Sequence, residues 1–160
     1  MPNIWRLAAK LGPAVLIVAR QLAPQIQKIL KDNPDAFSDL LKRFKLVQDS
    51  KKKEKAPKGL ENRVTILREQ VVYLYASANT AEVAKQAIVW RNELDAIERA
   101  LPVIGAMKHS SQVAQRRKFS RRLDELSQQI LAASLTDEVE DAIVLDDTED
   151  NENFEDPQEP

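Results

Sequence analysis

Residues 60–104 read LENRVTILREQVVYLYASANTAEVAKQAIVWRNELDAIERALPVI, and their pattern points to the architecture of the whole chain. Its apolar residues advance in steps of four and three. One set is Leu60, Val64, Leu67, Val71, Leu74 and Ala78, and a second is Val83, Ala87, Trp90, Leu94, Ile97, Leu101 and Ile104. Such steps average about 3.5 residues, the period of helices packed lengthwise on one another, as in coiled coils. Only Ala78-Asn79-Thr80 separates the sets, enough for a reversal and nothing more. The stretch predicts an antiparallel helical hairpin. Asn79 is placed to close the first helix in a left-handed conformation, and Thr80 to cap the second, with Glu82 in its first turn.

Composition extends this reading to the rest of the chain. The 160 residues are 43% hydrophobic but only 5% aromatic, with three glycines and no cysteine. That balance supports one domain-sized core built from helix formers and excludes a disulfide framework or a thiolate metal site. The expected fold is all-α, a helical bundle around the hairpin. The net charge of −1 hides an asymmetry. Twelve acids fall in residues 137–160, which hold no Lys or Arg, so residues 1–136 carry 24 bases against 13 acids, a net of +11. The expected organisation is N-terminal amphipathic helices over 1–49, a basic linker over 50–59, the hairpin and a third long helix over 60–135, and a mostly disordered acidic tail over 136–160.

Residues 3–31 form a basic amphipathic segment without an acid. Ile4, Leu7, Leu11, Val15, Val18, Leu22, Ile26 and Ile29 make one stripe, and Arg6, Lys10, Arg20, Lys28 and Lys31 fill a separate arc. Pro13 and Pro24 either kink a single helix or each open a new one. The longest uncharged run, Leu11 to Ala19, is too short to span a bilayer. Two uses compete for the stripe: packing against the hairpin, the commoner fate of such helices, or lying on an anionic membrane with Trp5 near one end. For the second use the contact residues are Trp5, Arg6, Lys10, Leu11, Val15, Arg20, Lys28 and Lys31.

Asn33-Pro34-Asp35 reads as a cap, a first helical residue and a first-turn acid, predicting a helix from Pro34 to about Asp49. The following ten residues contain Lys51, Lys52, Lys53, Lys55 and Lys58 with one acid, a proline and Gly59, the composition of a solvated linker. Beyond Ile104 the apolar rhythm fails. It returns one residue out of phase at Phe119, Leu123, Leu126, Ile130 and Ala133, so a turn near 109–111 and a new helix to about Leu135 are expected, one long kinked helix over 82–135 being the alternative. Arg116, Arg117, Lys118, Arg121 and Arg122 open that helix. On the helical wheel Arg117, Lys118 and Arg121 point away from the stripe, while Arg116 and Arg122 flank it. Thr136-Asp137-Glu138 reads as a fresh cap for a short helix to about Leu145.

No catalytic, cofactor-binding or metal-binding constellation stands out. His109 is the single histidine, and the three glycines are isolated, so neither a metal-ligand pair nor a phosphate loop can be assembled. The expectation is therefore a non-catalytic interaction or scaffold protein, cytoplasmic and associated peripherally with an anionic membrane at its inner face through residues 3–31. The alternative is a nucleic-acid-associated protein with a basic body and an autoinhibitory acidic tail. In either case the two lysine and arginine clusters, 51–58 and 116–122, are the candidate anion- and partner-binding residues. The expected partner is a protein or a second copy, and no small-molecule substrate is expected.

Overall fold

The computed structural model describes residues 4–56 and 58–149, with side chains as far as Val144. Among these residues the chain is helical with no strand: α1 (Ile4–Leu11), α2 (Pro13–Gln21), α3 (Ala23–Asp32), α4 (Ser38–Lys52), α5 (Gly59–Ser77), α6 (Ala81–Gly105) and α7 (His109–Glu149). The hairpin of the 4-3 stripe is α5 and α6. From Leu60 to Leu74 and from Ala87 to Ile104 the stripe residues are buried, and Val83 is half-buried. Thr80 caps α6, its Oγ1 accepting the Val83 N–H at 3.3 Å. Asn79, however, is not left-handed: among the described residues Lys58 alone, apart from glycine, has positive φ.

The chain's own helices fill the seam. α4 and α7 pack on α5, and α7 packs on α6. Pairings along α7 set the directions. Arg63 reaches Asp124 while Ser77 and Asn79 reach Asp137, so α5 runs parallel to α7. Trp90 Nε1 donates to Gln129 and Arg122 pairs with Glu93, so α6 runs antiparallel. Lys51 pairs with Asp124 and Arg43 with Glu138, so α4 does too. The fully buried leucines and isoleucines of this seam each stabilise the fold by about 1.5–3 kcal/mol relative to exposure.

The two prolines open new helices, with Pro13 first in α2 and Pro24 in the first turn of α3. The reversal between α1 and α2 depends on Gly12, whose φ of +125° lies where L-residues are strained. A Cβ there would also come within 2.5 Å of the Gln128 side chain on α7. The stripe of residues 3–31 is used inside the protein. Ile4, Ala8, Val15, Ala19 and Ile26 are buried, and Trp5, Leu7, Leu11, Leu16, Val18, Leu22 and Ile29 pack against them.

Four boundaries differ from expectation. Residues 34–37 form turns and α4 starts at Ser38, although the Asn33 side chain makes the expected cap-type bond, its Oδ1 accepting the Asp35 N–H at 3.2 Å. At its other end α4 continues to Lys52, taking in the first residues of the expected linker. The remaining corner is a chain of turns: Glu54 N–H donates to Lys51 O, Ala56 N–H to Lys53 O and Gly59 N–H to Ala56 O. Gly59 is buried against it, and a Cβ there would lie 2.2 Å from the Glu54 carbonyl oxygen. α6 ends at Gly105, and the turn that breaks the apolar rhythm lies at 106–108, slightly earlier than expected.

The fourth difference is the largest. α7 does not stop near Leu135 but continues through Thr136 to Glu149. The reason is that its core stripe continues with Leu131, Leu135 and Val139, all buried. Thr136 caps nothing, since its hydroxyl donates back to the Ala132 carbonyl oxygen at 3.2 Å, a bond compatible with an unbroken helix. The part of the acidic tail at 150–160 lies outside the described residues.

Candidate functional site

From His109 to Leu123 the N-terminal part of α7 carries no acid and five arginines or lysines. Ala114, Arg117, Lys118, Arg121, Arg122 and Glu125 recur at intervals of three and four, so they share one face. Where that face meets α6 they line an open groove of about 580 Å³ together with Glu93, Ile97 and Phe119. Its floor is apolar: Ile97 is buried and Phe119 half-buried, each projecting from its helix stripe. Its rim is basic.

The rim cations divide into two kinds. The Arg122 guanidinium is bound on both sides. Its Nε and Nη2 hold the Glu93 carboxylate, the latter at 2.8 Å, and its Nη1 holds Glu125 at 2.7 Å. These bonds, Glu93 first and Glu125 second, raise its pKa further above the ordinary arginine value. Arg122 thus cross-links the walls of the groove and neutralises both acids that line it. Arg117, Lys118 and Arg121 are exposed and form no ion pair among the described residues. Arg116 is half-buried and lies beside the groove rather than in it.

The structure brings the second lysine cluster next to this face. Asp124, three positions beyond Arg121 on α7, accepts Lys51 at 3.1 Å. The same carboxylate meets Arg63 at 2.6 Å, and Arg63 also holds Glu54 in the corner after α4. Arg63 is only 1% exposed, so this corner is anchored by a buried guanidinium. Lys52 pairs with Asp49 at 3.6 Å. Lys53, Lys55 and Lys58 are exposed and unpaired among the described residues. Clusters separated by some sixty residues in sequence therefore form one basic end of the bundle. Arg63 belongs to no cluster in the sequence. The sign of its role in the sequence was its place between Leu60 and Val64, at the edge of the apolar stripe.

The membrane-contact residues are arranged differently. Arg6, Lys10, Arg20, Lys28 and Lys31 are exposed, but Val15 is fully buried, and Leu11 and Trp5 pack on the core. In this fold the apolar half of that surface is not available to a bilayer. Among the described residues no helix is long and apolar enough to cross a membrane. Nor does any group of three or more His, Asp or Glu among them converge as a metal site.

No protein-family model, curated protein or solved structure matches this chain.

Proposed function

We propose that this protein is a non-catalytic helical adaptor whose α6–α7 groove and adjoining basic corner hold an acidic, aromatic-bearing segment of a protein partner. The observation that carries this reading is the set of three cations unpaired among the described residues, Arg117, Lys118 and Arg121, around an apolar floor whose own acids are neutralised by Arg122. Such a site offers charge at the rim and a place to desolvate one side chain at the centre, the usual anatomy of a peptide-binding surface.

Nucleic acid is the second reading, favoured by the convergence of the two basic clusters. Against it, the groove's aromatic side chain is the half-buried Phe119, so no exposed ring is offered there for base stacking. Peripheral association with an anionic membrane, and a place at its inner face, would rest on the exposed cations of α1–α3 alone.

The test is fluorescence anisotropy at low salt with three probes of matched charge: a labelled peptide of acids flanking one Phe, a single-stranded oligonucleotide and anionic vesicles. The adaptor reading expects the peptide to bind best and to weaken about tenfold or more when Arg117→Glu and Arg121→Glu are combined. Tighter binding of oligonucleotide or vesicles, or indifference to that double change, overturns it.

A further inference from the structure

We propose that the groove receives residues 150–160 of a second copy of this chain, so that the protein associates head to tail. This rests on the adaptor reading above and names its partner. The segment reads DNENFEDPQEP: five acids, one Phe and no base in eleven residues. Phe154 lies between Glu152 and Glu155-Asp156 in sequence, one aromatic side chain for the floor of Ile97 and Phe119, with acids on both sides for Arg117, Lys118 and Arg121.

Geometry excludes the chain's own groove as the destination. α7 is helical from His109 to Glu149. At 1.5 Å per residue, Arg121 lies about 42 Å from Glu149 and Arg117 about 48 Å. Phe154 is five residues past Glu149 and reaches at most about 18 Å from it, even fully extended. The helix that bears the basic groove at one end carries the acidic segment out of reach at the other. A second molecule has no such restriction.

The resulting contact is heterologous. Each copy gives its acidic segment at one end and accepts one at the other, which generates a ring if the rotation closes and an open chain if it does not. The charge split of +11 against −12 becomes a device for self-recognition, because both surfaces are retained in every copy.

Sedimentation velocity on the full chain tests this, with two variants that each keep one half of the contact. One carries Arg117→Glu and Arg121→Glu in the groove, and the other carries Glu152→Lys, Phe154→Ala and Glu155→Lys in the segment. Both are checked for native helicity by circular dichroism. Wild type should grow in mass with concentration at low salt and return to monomer at high salt. Each variant alone should stay monomeric, and an equimolar mixture should form a one-to-one dimer, since one intact groove and one intact segment remain. A wild type that is monomeric at low salt, or a groove variant that still associates, overturns the proposal. A labelled synthetic peptide of residues 150–160 separates the two levels. If it fails to bind while a generic acidic peptide binds, the self-association falls and the adaptor reading stands. If neither peptide binds, both fall.

Discussion

The carboxylate of Asp137 accepts the backbone N–H of Asn79 at 3.0 Å, joining the turn of the α5–α6 hairpin to the C-terminal half of α7. Two further bonds make the attachment threefold: Asn79 Nδ2 donates to the Asp137 carbonyl oxygen at 3.2 Å, and Ser77 Oγ donates to the same carboxylate at 3.4 Å. Asp137 is 3% exposed. Its removal takes two hydrogen bonds from the hairpin turn, at about 0.5–1.5 kcal/mol each, so Asp137→Ala should destabilise the protein by about 1–3 kcal/mol in chemical denaturation. Asp137→Asn, which keeps one acceptor oxygen, should cost less.

Arg63 is the second anchor. Its Nε has no partner among the described residues, and the charge depends on Glu54 and Asp124. Asp124→Ala should cost toward the lower end of about 3–5 kcal/mol, because Glu54 remains to hold part of the charge. Changing Arg63 to Met in the same molecule should recover much of that loss, since the uncompensated buried cation is then gone. A double-mutant cycle in urea measures the recovery.

Gly59 lies under the corner that the linker composition suggested was merely solvated. An added Cβ would meet backbone oxygens of Glu54 at 2.2 Å and Lys53 at 2.5 Å, atoms that cannot rotate away. Gly59→Ala should lower stability by about 1–3 kcal/mol and lower the melting temperature. Gly105→Ala, with open space around its Cβ position, is the control and should do no harm.

Glu138 sets a pH dependence of unusual sign for a carboxylate. Burial pushes its pKa up, against the pull of Arg43 and with some help from Asp141 and Asp137. A raised folded-state pKa means that the folded state binds the proton more tightly. This group's contribution is therefore favourable below the unfolded carboxylate pKa and is lost as pH rises through the raised folded value. Glu138→Gln should remove that decline, seen as a flatter melting-temperature profile across the carboxylate range. The exposed Glu98, lowered by its bond to Arg68, acts in the opposite direction.

The helices and their buried faces were legible in the sequence because both depend on local period. The 4-3 stripe of residues 60–104 and the cap at Thr80 each involve neighbours within one or two turns. So did the exposure of Arg117, Lys118 and Arg121, which a helical wheel alone foresees. The choice between kink and new helix at Pro13 and Pro24, by contrast, was open until the structure placed them at helix starts. Two signals that rest on a single side chain misled, because that side chain had a second partner. Thr136 resembled a cap, but its hydroxyl bonds the preceding turn. Asn79 resembled a left-handed terminator, but it bonds Asp137.

An all-helical chain with a basic body and an acidic C-terminal region follows from the residues alone, since helix period and charge are properties of residues and their near neighbours. The use of each polar group follows from the packing. Arg63 went into the core, Asp137 to the hairpin turn, Arg122 to the groove walls, and the apolar stripe of residues 3–31 to the inside of the bundle. The lysines at 51–58 and the arginines at 116–122 became neighbours because α4 runs antiparallel to α7. Those outcomes depend on which helices lie side by side and in which direction, and that is set by the packing of all the apolar stripes together rather than by any one of them.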